Sequence, residues 1–275
     1  MTIREWVQSA KARMTAARVE SADLESQLLA AHVLMVDRPW LMAHPEEPFP
    51  EYAGESILFR RLSNEPLAYI LGWREFYGRM FTVRPGVLIP RQETEVLVDT
   101  VLKWFPKRGS EPISILDLGT GSGCIAITLK LENPRLKVVA SDISVAALEV
   151  AIRNANDLGA EVNFIESDGF NHMGSECFRA IVTNPPYIGL GESIASEVTD
   201  YEPRVALFAG QSGLEFFERL AAEAANRLVT EGLLITEVGY RQAQRVADIF
   251  RDQGWTVMET VEDLAGIARV VVCKI

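Results

Sequence analysis

The chain has few of the residues that build metal centres and disulfide frameworks. Among its 275 residues there are three cysteines and three histidines, and neither type shows paired spacing. Because zinc sites and disulfide scaffolds need such residues at close, repeated spacings, the sequence predicts a reduced protein that binds no metal. We expect it in the cytoplasm, since the N-terminus, with Arg4, Glu5 and Gln8, lacks the apolar core of a signal peptide.

Long apolar runs and an excess of positive charge are also lacking. No stretch approaches the roughly 18 apolar residues of a membrane span, so no membrane partner is expected. The chain has 27 Lys and Arg against 38 Asp and Glu, a formal net charge of -11. This sign disfavours binding to the phosphates of naked DNA or RNA. Arginines do gather within residues 60–91, where either an acidic partner or ion pairs on a solvated surface would explain them.

What is present is the pattern of an α/β protein with two domains. Apolar residues recur at helical spacing up to about residue 66, which predicts a small helical domain over residues 1–74. Short alternating segments with glycines predict a β-hairpin connector over 75–90. Residues 91–275 predict a doubly wound, Rossmann-like sheet, with strands near 113–118, 137–142, 162–166, 180–183, 232–238, 255–260 and 268–274. Only a loop joins the last two of these seven strands, so the final strand is expected to be antiparallel.

A glycine-rich turn follows the first strand of this sheet. It consists of Gly119, Thr120, Gly121, Ser122 and Gly123, and it leads into a helix. Such glycines let the backbone approach a ligand closely and adopt positive φ. Their spacing differs from the dinucleotide fingerprint, which would place its third glycine at position 124. A pyrophosphate is therefore not the obvious ligand, although a nicotinamide site with variant spacing stays an alternative.

Acidic residues follow the second and third strands. Asp142 is placed to accept hydrogen bonds from a ribose diol, which implies a nucleoside. Asp168, with Gly169 and Phe170 after it, is interpreted as a site for an adenine amino group and its ring face. Taken alone, Asp142 could be only a residue at the start of a helix, and Asp168 with Gly169 could be only an ordinary turn. Their order favours a site, because the carboxyl ends of parallel strands meet at one edge of the sheet.

The tetrad Asn184, Pro185, Pro186 and Tyr187 follows the fourth strand. An amide or exocyclic amino nitrogen is a poor nucleophile because its lone pair is delocalised. The Asn184 side-chain oxygen and the Pro185 carbonyl can each accept one of its N–H bonds, which favours the pyramidal nitrogen of the transition state. The prolines fix the backbone, and Tyr187 supplies an aromatic wall. The tetrad therefore predicts a methyl-transfer and substrate-binding site for a planar nitrogen, with a plain turn as the alternative if it is taken alone.

Taken together, these motifs resemble the protein-(glutamine-N5) methyltransferase family, whose members methylate peptide chain release factors. The resemblance is carried by residues 65–72, 75–78, 87–95, 117–125, 184–188 and 201–203. It implies that S-adenosylmethionine lies over Gly119–Gly123 with Asp142 on its ribose and Asn184 beside it. It further implies that Asn184 and Pro185 hold the glutamine of a Gly-Gly-Gln loop, and that the N-terminal helices dock the release factor.

Two positions depart from the family pattern. Gln92 stands where proline is usual, and Gly169 stands where a bulkier residue is usual.

Three other functions stay open at this point. A DNA adenine-N6 or ribosomal RNA guanine-N2 methyltransferase would use a similar tetrad, because an exocyclic amine poses the same lone-pair problem. A binding module without enzymatic activity and a dehydrogenase are further alternatives. The acidic composition disfavours a nucleic-acid methyltransferase, and the intact tetrad disfavours a binding module without activity. The glycine spacing disfavours a dehydrogenase.

Overall fold

The computed structural model describes residues Met1–Ile275, and the chain forms two compact units. The helical unit consists of Met1–Gly72 and Ala195–Tyr201. The sheet unit consists of Trp73–Ile194 and Glu202–Ile275. No helix in either unit is both long enough and apolar enough to cross a membrane.

The N-terminal part of the helical unit contains five helices: α1 (Ile3–Ala16), α2 (Ala22–Leu34), α3 (Arg38–Ala43), α4 (Glu51–Leu62) and α5 (Leu67–Leu71). Helix α1 begins with a capping box, in which Thr2 and Glu5 each bind the other's backbone N–H. Helix α3 has Pro39 in its first turn, where a missing N–H costs nothing, and the Asp37 side chain caps it. Pro39 thus stands at the start of a helix and does not interrupt one.

A stacked aromatic pair lies at the centre of the helical unit. The rings of Trp6 and Phe49 have centroids 4.5 Å apart, and Trp6 is fully buried. Helix α4 passes this pair at Gly54. A Cβ atom on Gly54 would lie 2.4 Å from Phe49 Cε1 and 2.7 Å from the Trp6 ring. Only the absence of a side chain lets the helix approach so closely.

We expect Gly54→Ala to lower the free energy of unfolding of the helical unit by about 1–3 kcal/mol, through overpacking. Helix propensity alone would give the opposite sign, since alanine is favoured over glycine by about 1 kcal/mol. Denaturant unfolding of the purified variant measures the difference. Ser56→Ala, at an exposed position of the same helix, is the matched control and should change stability by less than about 0.5 kcal/mol. A Gly54→Ala protein as stable as the control would contradict the packing argument.

The sheet unit begins with a hairpin and continues into one large sheet. The hairpin strands are β1 (Trp73–Phe76) and β2 (Arg79–Thr82). The other strands are β3 (Ile113–Leu118), β4 (Leu136–Asp142), β5 (Asn163–Glu166), β6 (Phe178–Thr183), β7 (Ile188–Gly189), β8 (Phe208–Gly210), β9 (Leu228–Glu237), β10 (Thr256–Glu262) and β11 (Ala268–Lys274). Seven of them form a sheet in the order β10-β11-β9-β6-β3-β4-β5, in which β11 is antiparallel to both neighbours. The predicted fold and its reversed last strand are confirmed.

Helices cover both faces of this sheet and bury its apolar side chains in two core clusters. They are α6 (Glu95–Trp104), α7 (Cys124–Glu132), α8 (Val145–Leu158), α11 (Glu215–Glu223) and α12 (Ala243–Asp252). The short helix α10 (Arg204–Leu207) lies beside β8. A 3-10 turn over Gln92–Thr94 precedes α6. The register aligns the carboxyl ends of the parallel strands, pairing Leu118 with Ser141 and Thr183 with Thr236. The loops after these strands therefore converge on one edge.

Helix α9 (Ser196–Tyr201) belongs to the helical unit, although the sequence division placed it within residues 91–275. Its Glu197 lies 3.3 Å from the buried guanidinium of Arg61, which also binds Glu25 at 2.6 Å. The Tyr201 hydroxyl donates to the Ser63 carbonyl at 2.8 Å. The contacts of Glu197 and Tyr201 each span more than a hundred residues of sequence, so no local pattern indicates them.

Most arginines of residues 60–91 form ion pairs within their own unit. Their partners are Glu65 for Arg60, Glu25 and Glu197 for Arg61, Glu132 for Arg79, Glu149 for Arg84 and Glu202 for Arg91. The interpretation as ion pairs fits these contacts better than an acidic partner does, although Arg61 and Glu202 are buried and not solvated.

Candidate active site

A cavity of about 410 Å³ opens at the carboxyl edge of the large sheet. This volume lies within the range of about 300–1,000 Å³ that is usual for small-molecule sites. Of the residues predicted from the sequence, the cavity is lined by Gly119, Thr120, Gly121, Ser122, Asp142, Asp168, Gly169, Asn184, Pro185 and Pro186. Gly123, Phe170 and Tyr187 do not line it.

The glycine loop is held from beneath by a buried carboxylate. Asp117 Oδ2 accepts hydrogen bonds from the Thr120 hydroxyl at 2.6 Å and from the Ala126 N–H at 3.1 Å. Burial raises the pKa of Asp117 to about 7, against the lowering effect of these two bonds. Gly119 and Gly121 have φ of 76° and 56°, and a Cβ atom on either would meet no atom within 4 Å. The backbone is thus exposed to a ligand at both positions.

Gly123 has a different role from the other two loop glycines. It is the N-cap of α7 with φ of 82°, and a Cβ atom there would lie 2.8 Å from Ile127 Cδ1 and 3.1 Å from Ala151 Cβ. Gly123 lets the loop pack closely against helices α7 and α8. It does not line the cavity.

Asp142 ends strand β4 with its carboxylate fixed by backbone donors. Its Oδ2 accepts from the Gly121 N–H at 2.8 Å and its Oδ1 from the Ser144 N–H at 2.9 Å. Burial raises its pKa, and these bonds oppose that shift. Since each carboxylate oxygen has two lone-pair directions, both oxygens keep one for a ligand hydroxyl.

Asp168 and Gly169 lie against Arg219, a residue of helix α11. Arg219 binds Asp168 Oδ1 at 2.6 Å, and a Cβ atom on Gly169 would lie 2.5 Å from Arg219 Nη2. The missing side chain at Gly169 therefore leaves room for this guanidinium, which itself lines the cavity.

Phe170 does not fit its predicted role as the residue that packs on adenine. Its side chain is 6% exposed and belongs to the core cluster that also contains Met173 and Phe217. The turn at Asp168–Gly169 directs it into the core. Ile143, which is half exposed at the cavity, and Phe216, which also lines it, are the apolar side chains available to a flat ring.

Asn184 follows strand β6 directly, and its amide nitrogen points toward Thr94. Its Nδ2 donates to Thr94 Oγ1 at 3.1 Å. The Oδ1 atom accepts no hydrogen bond from the protein and remains available at the cavity. Thr183, just before it, donates to the buried Leu118 carbonyl at 2.7 Å, which ties the ends of β6 and β3 together.

The Tyr187 ring packs beside the second core cluster and does not form a cavity wall. Its carbonyl accepts a hydrogen bond from Gln242 Nε2 at 2.8 Å, and its ring lies close to Gly239. Burial raises the pKa of its hydroxyl, and the neighbouring Glu237 carboxylate adds to the shift. The predicted stacking of a substrate on this ring does not follow from its position here.

Two family models match the chain. Residues 5–72 match the PrmC N-terminal domain, and residues 92–200 match the methyltransferase small domain. The chain is 42% identical to the release factor glutamine methyltransferase of Koribacter versatilis, over 99% of this chain and 98% of that protein. The corresponding enzyme of Bordetella pertussis is also 42% identical, over 90% of this chain and 93% of its own. The chain belongs to the release factor glutamine methyltransferases.

A bifunctional methyltransferase of Rickettsia bellii is 38% identical to this chain, and the chain spans about half of that protein's length, 51%. Among solved structures, a methyltransferase from Pyrococcus furiosus superposes with a TM-score of 0.54 at 18% identity, covering 80% of this chain and 98% of that one. At that identity the likeness shows the fold alone.

Several motifs of this family resemblance meet at one buried carboxylate. Glu202 is 4% exposed, accepts from the Ile89 N–H at 3.1 Å and binds the Arg91 guanidinium. It thereby fixes the segment that carries Arg91 and Thr94 against the cavity. In this chain, the 87–95 and 201–203 motifs thus form one structural element.

Sequence reasoning missed Thr94, Arg219 and the apolar lining of the cavity by Val87, Ile143 and Phe216. Thr94 lies within the 87–95 motif of the family resemblance, and that motif is the one sequence signal that could have indicated its role. Arg219 lies on α11 and reaches Asp168 across 51 residues of sequence, which no local spacing indicates.

Proposed function

We propose that this protein transfers a methyl group from S-adenosylmethionine to the side-chain amide nitrogen, N5, of the glutamine in the Gly-Gly-Gln loop of peptide chain release factors. The carrying observation is the free Oδ1 of Asn184 at the wall of the cavity, with Pro185 beside it, in a chain that belongs to this family. Two adjacent acceptors suit an amide NH₂ group, which has two protons to donate.

The residues around the cavity fit S-adenosylmethionine. Open backbone at Gly119 and Gly121 leaves room for the cofactor, and the Asp142 carboxylate keeps lone pairs for two ribose hydroxyls. Apolar contact for the adenine is available at Ile143 and Phe216, in place of the predicted Phe170. The cofactor supplies an electrophilic methyl group bound to a positively charged sulfur.

The chain's contribution is to prepare the nitrogen that accepts the methyl group. Hydrogen bonds from the substrate NH₂ to Asn184 Oδ1 and to the Pro185 carbonyl withdraw the nitrogen from conjugation with its own carbonyl. Both acceptors stabilise the positive charge that develops on it. No strong base is required, because the methylated amide loses its extra proton readily to water.

The acidic composition favours a protein substrate over bare nucleic acid, and we place the reaction in the cytoplasm with release factors as partners. We also propose that the helical unit docks the release factor. Exposed apolar side chains are available on it at Met35, Met42, Tyr52 and Phe59.

Transfer of labelled methyl from S-adenosylmethionine tests the substrate class. We expect label on release factor and background counts on duplex DNA and on ribosomal RNA in parallel reactions. Labelling of DNA or RNA above that of release factor would instead favour the adenine-N6 or guanine-N2 alternative.

A further inference from the structure

We propose that Thr94 and Glu237 form a hydrogen-bonded relay that sets which end of the Asn184 amide faces the substrate. The inference rests on the proposed role of Asn184. Thr94 and Glu237 are positioning residues in this account, since they act through Asn184.

The three side chains adjoin one another at the end of the sheet. Asn184 follows β6 and Glu237 ends β9, and the residues before them, Thr183 and Thr236, are paired in register. Thr94 reaches them from the 3-10 turn ahead of α6. Its hydroxyl accepts from Asn184 Nδ2 at 3.1 Å, and it adjoins the Glu237 carboxylate, whose pKa it lowers. Thr94 and Glu237 are 2% and 1% exposed, so water does not compete for these contacts.

The direction of each hydrogen bond follows from the chemistry of the groups. An ionised carboxylate can only accept, so the single hydroxyl proton of Thr94 goes to Glu237. The Thr94 oxygen is then left as an acceptor, and the only donor on the Asn184 side chain is Nδ2. Oδ1 must therefore face the cavity. The opposite amide orientation would set the NH₂ of Asn184 against the NH₂ of the substrate.

Glu237 has no other evident structural role. Its Oε2 is buried without a hydrogen bond, which is costly for a carboxyl group in the protein interior. Glu237 itself does not line the cavity, but it adjoins Thr94 and Asn184, which do. An unpaired carboxyl group kept in such a place indicates that its charge serves the site. The charged and titratable groups that face it are Arg91, Glu93, Cys124, Tyr187 and Arg269.

Protonation of Glu237 would reverse the relay. Burial raises the pKa of Glu237 to about 7, while the Thr94 contact, Arg269 and Arg91 lower it and Glu93 raises it further. A protonated carboxyl can donate to Thr94, which frees the hydroxyl proton to bind Asn184 Oδ1 and removes that acceptor from the substrate. The rate of methyl transfer should consequently rise with pH through about 7.

Substitutions at Thr94 test the relay by kinetics. Thr94→Val keeps the shape but removes both hydrogen bonds, and we expect kcat to fall by about 10–100-fold with KM for release factor changed by less than about threefold. Thr94→Ser keeps the hydroxyl and should retain kcat within about threefold. A Thr94→Val enzyme with the wild-type kcat would overturn the proposal.

Glu237→Gln tests the same relay by titration. We expect the pH step near 7 to be absent from this variant's kcat profile, and the ¹H–¹⁵N signals of the Asn184 side-chain amide to titrate in the wild type alone. The comparison isolates Glu237 from Asp117, whose pKa is also raised to about 7. Identical titration of the Asn184 amide in both proteins would refute the relay, whether or not Thr94→Val folds. This readout needs no substrate, so it is separate from a failure to methylate release factor, which would refute the proposed function.

Discussion

Replacing Asn184 by alanine is expected to lower kcat by about 10²–10³-fold, the range found when one preorganised transition-state partner is removed. The substitution deletes Oδ1, the acceptor at the cavity wall, and leaves the Pro185 carbonyl alone to hold the amide. The glycine loop and Asp142 are untouched, so the dissociation constant for S-adenosylmethionine should change by less than about threefold. Single-turnover methyl transfer and calorimetric cofactor binding measure the two quantities separately.

The matched control is Asn156→Ala, which removes an exposed asparagine from α8 in the same unit. It should leave both quantities at their wild-type values. If Asn184→Ala transferred methyl groups as fast as this control, Asn184 would not be the residue that prepares the nitrogen.

Replacing Asp142 by alanine is expected to weaken S-adenosylmethionine binding by about 10–100-fold, which corresponds to the loss of hydrogen bonds to one charged group. Two backbone N–H groups hold this carboxylate in place before any ligand binds, so little ordering is needed on binding. Isothermal titration with S-adenosylmethionine measures the change.

Asp157→Ala is the control for charge, because it removes an exposed carboxylate that forms only a surface pair with Arg153. We expect wild-type affinity from it. Equal affinities for cofactor in the Asp142 and Asp157 variants would show that Asp142 does not bind the ribose.

The sequence predicted the large sheet well because each of its strands carries a local signal. The apolar runs before Gly119, Asp142 and Asn184 are buried β-strands, and the loops after them carry the polar residues of the cavity. The helical unit was predicted less completely. Helices such as α3 and α5 are six and five residues long, too short for a clear period.

The parts of the site that were missed depend on contacts between distant residues. Thr94 and Asn184 are 90 residues apart, and only the fold brings them together. Phe170 and Tyr187, in contrast, were predicted to contact a ligand but do not line the cavity. An aromatic residue beside a motif favours a ligand contact from sequence alone, yet both rings pack beside the apolar core instead.

The two departures from the family pattern have simple structural accounts. Arg91 has ψ of 144°, the extended conformation that a following proline would require, so Gln92 keeps the same backbone. Gly169 lets the Arg219 guanidinium approach the turn after β5, where a Cβ atom would clash with it.

Mapping the methylated residue by mass spectrometry tests the central claim most directly. Release factor would be incubated with the purified protein and S-adenosylmethionine, digested, and compared with a release factor whose loop glutamine has been replaced. The account predicts one added methyl group on the glutamine of the Gly-Gly-Gln peptide and none on the replaced protein. A methyl group on any other residue, or equal labelling of the two release factors, would contradict it.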